Sequence, residues 1–176
     1  MADIPREIWA RRLARLGLSP NLAESGQFFV GHFMLPPAIG STAEGVMSHA
    51  EQLFGEQQVE LLAERLGNTN DDELGPCARR NAPLFWQIGG MVQESSRQAA
   101  QKRLFQIQLA VEKLLPEIHI TSLSLDTVVY KLQGVPDLLP RVFPELRDEE
   151  MRSVITMGHG RYSTNTLPTV SRSQPF

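Results

Sequence analysis

The side chains of this chain best equipped for chemistry cluster in Gly158-His159-Gly160-Arg161-Tyr162-Ser163-Thr164-Asn165-Thr166-Leu167-Pro168. Arg161 carries a planar guanidinium that can grip a carboxylate through two parallel, charge-assisted hydrogen bonds. Most arginines are solvated or structurally paired, so residue type alone does not assign it a role. His159 stands two positions earlier and would share a strand face with Arg161 if the backbone there is extended. A lone histidine is more commonly a hydrogen-bonded structural group, and that reading stays beside the functional one. Ser163, Thr164 and Asn165 can donate to a bound ligand, but the same residues after a strand make good turns. Both roles remain open.

Other reactive groups are sparse. Cys77 is the single cysteine, which excludes an internal disulfide and a cysteine-rich zinc site and suits a reducing cytoplasm. Arg79 and Arg80 follow it and would depress a thiol pKa if they faced it, yet a loop or buried cysteine with no catalytic role is the commoner case. His32, His49, His119 and His159 show no metal-ligand spacing such as His-x-x-x-His.

The composition is that of a folded protein. Hydrophobic residues make up 41% and charged residues 21% of 176, and the net charge is -3, with Lys and Arg scattered. One core burying roughly 70% of the unfolded surface is expected. A nucleic-acid partner is not supported by this charge. There is neither a signal-peptide core behind Met1 nor a run of 18 apolar residues, so the sequence predicts a soluble, cytoplasmic chain with no membrane span.

The elements that must position these groups follow from pattern. A helix is predicted from Asp3 through Leu16, stopped by Gly17. Gln27 to Leu35, closed by Pro36-Pro37, reads as a strand. Ser41 and Glu44 form a capping-box pattern ahead of a helix from about Thr42 to Gln57. Val59 to Glu64 and Leu84 to Ile88 read as strands, with a solvated loop at Gly67 to Gly75 between them. The longest helix carries Ala100, Leu104, Ile107, Val111 and Leu114 on one stripe, with Ser95 and Gln98 as its cap pattern and Pro116 ending it. Its stripe is expected to face the chain's own core. Ile118 to Ile120 and Val128 to Leu132 are predicted as two strands joined tightly through Ser122 to Asp126. Val154 to Met157 is predicted as a further strand entering the Gly-His-Gly-Arg turn, and Ser163 to Phe176 as loop. The alternation lacks a steady βαβ rhythm, which favours an α+β layering.

With these residues in place, a family likeness is legible. Gly158 through Pro168, followed by Gln174-Pro175-Phe176, resembles the motif after a central strand in the large subunit of glutamate synthases. Upstream, Thr127-Val128-Val129-Tyr130-Lys131 resembles that family's strand before a helix, and Phe143-Pro144-Glu145-Leu146-Arg147-Asp148 its acidic turn. Ile4 to Trp9 and Gly26 to Pro36 resemble the earlier helix and strand of its glutamine amidotransferase domain. Leu132 stands where a glycine is usual and Val170 where a tryptophan is usual.

The resemblance implies an N-terminal-nucleophile hydrolase fold, here a partial four-layer αββα sandwich, releasing ammonia from L-glutamine. In that family a cysteine at the mature N-terminus attacks, its free α-amine serves as base, and backbone and Asn donors hold the oxyanion. This chain opens with Met1-Ala2 and closes before a His-Asn-Gly segment, so residues 1–176 are expected to be a single incomplete domain with no catalytic residue of its own. Arg161 matches the arginine that holds the glutamine α-carboxylate, and Thr164, Asn165 and His159 are carried as its neighbours in a substrate pocket. Losing a nucleophile costs up to roughly a millionfold in rate, and each oxyanion donor a further 3 to 4 kcal/mol or so. Retained carboxylate binding cannot offset that, and the chain is expected to be inactive alone. FMN, an iron-sulfur cluster, NAD(P)H and 2-oxoglutarate are implied only for the intact family enzyme, and none is expected to bind here. The remaining glutamate synthase domains or subunits are the implied partners, either parted from a split gene or completing the sandwich from another chain. A non-catalytic module sensing glutamine or glutamate is the competing reading.

Overall fold

In the computed structural model of the protein, residues 26–37 and 43–160 are described. Four strands form one antiparallel sheet in the order β2-β3-β1-β4, with β1 spanning Gln27–Leu35, β2 Val59–Leu66, β3 Leu84–Val92 and β4 His119–Ser124. Helix α1, Ala43–Glu56, lies between β1 and β2, and α3, Arg97–Leu114, between β3 and β4. Short helices α2, Pro76–Arg80, and α4, Leu139–Val142, punctuate the connections. The class is α+β, as the pattern predicts.

Both long helices lie on one face of the sheet, and period-2 alternation decides which residues meet them. Phe29, Phe33 and Leu35 of β1 and Trp86, Ile88 and Val92 of β3 pack with Ala50 and Phe54 of α1 and with Ala100, Leu104, Ile107 and Val111 of α3. The predicted helical stripe therefore faces the chain's own core, except at Leu114, which is largely exposed. Phe29 stacks on Phe54 at 6.1 Å between centroids, and Phe33 tilts against Trp86 at 4.8 Å. The indole of Trp86 donates to Glu64 across 3.0 Å, which satisfies its one polar atom.

Several boundaries differ from the sequence expectation. The Ser96 hydroxyl, not that of Ser95, caps α3 by accepting from the Ala99 amide at 3.2 Å. Strand β3 runs on through Gly89 and Gly90 to Val92. Gly90 belongs there because a Cβ would lie 2.5 Å from the Glu60 carbonyl oxygen and 2.6 Å from the Phe29 ring. Strand β2 extends past Glu64 to Leu66, with a register shift between Leu61 and Ala63, and ends at Gly67, whose φ of 73° suits a residue without a side chain. The expected loop at Gly67 to Gly75 contains one 3-10 turn, Asp71–Glu73.

Two predicted strands do not form. Val128 to Leu132 runs beside β4 without joining the sheet, and at its Val129 hydroxyls take the place of a strand partner: the amide donates to Ser122 Oγ at 3.1 Å, and Thr121 Oγ1 donates to the carbonyl at 3.3 Å. Ser124 Oγ accepts from the Asp126 and Thr127 amides and turns the chain between them. Val154 to Met157 is also not a strand; Val154, Ile155 and Met157 are 73%, 76% and 91% exposed, with no sheet neighbour among the described residues. The helix predicted from Asp3 lies outside the described residues.

Residues 127–148 form an arm across the face of the sheet opposite the helices. Tyr130, Leu132, Val142, Phe143 and Leu146 pack there with Met34, Leu74 and Phe85. The Asn70 amide donates to the Val142 carbonyl at 2.8 Å, pinning the arm's middle to the loop after β2.

Gly90→Ala is expected to destabilise the fold by about 1 to 3 kcal/mol, because the new methyl has backbone on one side and a buried ring on the other. Ser96→Ala is expected to cost about 1 kcal/mol through the lost cap. Urea denaturation of each variant checks both values.

Candidate functional site

His32, Gln87 and Ser122 are the buried polar residues of the described chain. All three lie in one row across the sheet, on the face turned toward the arm: the register pairs Arg65 with Gln87, Gln87 with His32, and His32 with Ser122. The row exists because each strand places a polar residue at one matching position of its alternation.

Glu145, in the turn Pro144–Arg147, closes the row from above. Its carboxylate accepts from Arg65 at 3.0 Å, from Gln87 Nε2 at 3.0 Å and from Asn68 Nδ2 at 3.1 Å. Gln87 Nε2 also meets His32 Nε2 at 2.9 Å, and the Gln87 carbonyl oxygen accepts from Arg65 Nε. His32 Nδ1 reaches the Val129 carbonyl at 3.1 Å. Edge-on contacts to Phe85 and Tyr130, each 4.9 Å between centroids, hold the imidazole upright.

The environment shifts these groups in directions that follow from burial. His32 is held below its ordinary pKa, chiefly by desolvation; the Val129 bond and the Glu145 charge oppose this, and Arg65 adds to it. The Tyr130 hydroxyl, beside Glu145 and Gln87, is pushed up to about 12, first by burial and then by the Glu145 charge. Farther along the arm Lys131 Nζ meets His119 Nε2 at 3.0 Å; burial lowers both pKa values, and the Lys131 charge lowers His119 further. No buried side-chain polar atom among the described residues is left without a partner. The cluster is thus satisfied and closed, with neither a nucleophile nor an unsatisfied group aimed into a cavity. A small, mostly apolar pocket of about 30 Å³ lies beside it, lined in part by Met34, Leu74, Phe85, Lys131 and Phe143.

Of the residues nominated from sequence, His159 and Cys77 are among the described ones. Arg161, Thr164 and Asn165 lie outside the described residues. His159 is exposed and lies in no strand, following the non-strand segment Val154 to Met157. Cys77 is exposed on α2, and its carbonyl accepts from Asn81. Arg79 beside it is committed to Asp72, with its Nε donating to the Asp71 carbonyl. Among the described residues no three His, Cys, Asp or Glu side chains converge as metal ligands, and the single cysteine offers no thiolate set for an iron-sulfur cluster. His32, Arg65 and Gln87 stand in no local motif, and His32 has no metal-ligand spacing to the other histidines. The usable signal was a polar residue at an inward position of an otherwise apolar strand, as in Phe85-Trp86-Gln87-Ile88.

Comparison with known proteins supplies the class. The family model for class-II glutamine amidotransferases matches residues 1–176, and the chain belongs to that family. Glutamate synthases are among its relatives. It is 29% identical over 134 residues to a ferredoxin-dependent glutamate synthase of Pyropia yezoensis, covering 72% of this chain and 9% of that protein. It is 25% identical over 186 residues to an NADH glutamate synthase of Schizosaccharomyces pombe, covering all of this chain and 9% of that protein. A ferredoxin-dependent glutamate synthase 2 of Synechocystis is 27% identical over 178 residues, covering all of this chain and 11% of its own length. The chain thus spans about a tenth of these curated relatives and resembles their glutamine amidotransferase domain. No helix of the described residues is long and apolar enough to cross a membrane.

Glu145→Ala would leave the donors of Arg65, Asn68 and Gln87 facing an empty position. The expected loss is about 1 to 3 kcal/mol of stability, measurable by urea denaturation, with the greatest gain in amide exchange across residues 127–148.

Proposed function

We propose that this chain is the central part of the glutaminase domain of a glutamate synthase and that it contributes scaffold and substrate grip, not the nucleophile. The observation that carries this is the family match across residues 1–176, combined with a single cysteine that lies on an exposed interior helix. Cys77 has its backbone nitrogen in a peptide bond, so it lacks the free α-amine that activates the nucleophile in this class. Arg161 clamps the α-carboxylate of L-glutamine, with Thr164, Asn165 and His159 beside it. The nucleophile and oxyanion donors come from elsewhere in the protein or its partners, and residues 1–176 alone do not turn glutamine over.

The four-layer arrangement belongs to the same proposal. Helices and sheet supply two layers, the arm begins to cover the opposite face, and the exposed apolar run Val154 to Met157 supports a second sheet completed by further strands. The working compartment is cytoplasmic. FMN, the iron-sulfur cluster and the electron donor, NAD(P)H or ferredoxin, act on other parts of the synthase, where ammonia meets 2-oxoglutarate. The second reading, a non-catalytic glutamine or glutamate sensor, is favoured by the same pairing of a carboxylate grip with no matching nucleophile.

Isothermal calorimetry with L-glutamine is expected to give heat for the native chain and at least a tenfold weaker affinity for Arg161→Ala, since each charge-assisted bond contributes about 1.5 to 3 kcal/mol. No ammonia release is expected from either protein. Turnover abolished by Cys77→Ala would overturn the proposal, and absence of heat would remove the assigned grip.

A further inference from the structure

The arm over residues 127–148 rests on two histidines, and the atoms that face them dictate how each ring must be protonated. The Val129 carbonyl can only accept, so His32 Nδ1 donates to it. Arg65 takes the Gln87 amide oxygen and Glu145 accepts from its NH₂, so it is that NH₂ which faces His32 Nε2, and Nε2 must present a lone pair to accept from it. Turning the Gln87 amide over would set its NH₂ against the Arg65 N–H and its oxygen against the Glu145 carboxylate. The direction of every bond is therefore fixed, and it demands a neutral His32. At the second point the Lys131 ammonium, which can only donate, meets His119 Nε2, and that ring must be neutral there as well.

We propose that His32 and His119 form a two-point acid-sensitive latch which holds residues 127–148 on the sheet while both rings are neutral and releases them when the rings take up protons. A proton on His32 Nε2 would point at the Gln87 NH₂, and one on His119 Nε2 at the Lys131 ammonium. The charged and titratable groups facing His32 are Arg65 from β2 and Tyr130 and Glu145 from the arm. Gln87 and Phe85 from β3 and Thr121 and Ser122 from β4 complete its surroundings without titrating near neutrality. His119 is faced by Lys131.

The sign follows from linkage. Both rings lie below their ordinary value of 6.5 when the arm is closed, and hydration on opening returns them to it. Closed-arm stability is then fully present above pH 6.5 and is lost as pH falls from 6.5 toward the lower closed-state values. Within that window each ring raises the open population by up to about tenfold per pH unit, and the two together by up to about a hundredfold.

Hydrogen–deuterium exchange of the full chain from about pH 7.5 to about pH 5, corrected for intrinsic exchange rates, tests this. Residues 127–148 are expected to lose protection below pH 6.5 while α3 keeps its own. Unchanged arm protection, or loss in step with α3, would sink the proposal. Gln87→Glu presents a carboxylate to His32 Nε2 and is expected to flatten the response; where that variant does not fold, His119→Gln is expected to cut the slope from two protons to one. Nitrogen-15 correlation spectra at neutral pH are expected to show His32 as the neutral Nδ1–H tautomer, and an Nε2–H tautomer would overturn the assignment.

Discussion

A primary amide in the middle of a sheet sets the terms for one whole side of this molecule. Gln87 sits on β3, between β2 and β1, buried on the face of the sheet that the arm covers. Its oxygen and both hydrogens must each find a partner, since an unsatisfied buried polar group costs about as much as several good contacts return. Arg65 and His32 answer from the flanking strands, and Glu145 from the arm. Because Glu145 stands 58 residues away in sequence, satisfying one side chain requires the chain to return over the sheet. The apolar contacts of Tyr130, Phe143 and Leu146 then pack where that return places them.

The helix-bearing half of the fold was legible in the sequence because its pattern is redundant. The Ala100, Leu104, Ile107, Val111 stripe, the aromatic run of β1 and the positions of Phe54 and Trp86 all repeat one message at the periods of a helix or a strand. The boundaries were less legible. Gly89-Gly90 carries the composition of a turn, and only the neighbouring Phe29 ring and Glu60 carbonyl explain why a strand needs glycine there. Val128 to Leu132 has strand composition, yet Ser122 and Thr121 satisfy the Val129 backbone through side chains, a choice that depends on tertiary placement.

The site was legible in the opposite way. Family membership could be read from one long motif at Gly158 to Pro168 and from the acidic turn around Glu145, whose carboxylate does prove to be a hub. The polar row itself could not be read so easily, because its members come from four separate strands and an isolated His32 or Gln87 has no local signature. A polar residue on an apolar strand face announces that a partner exists without saying which one.

Strand β2 is an edge of the sheet among the described residues. The register break between Leu61 and Ala63 interrupts its hydrogen-bond ladder, and Glu60, Glu64 and Arg65 place charge along it. A stranger's strand laid on that border would find its donors and acceptors out of step and its approach opposed by carboxylates. The molecule thereby discourages fibril-like stacking at its rim.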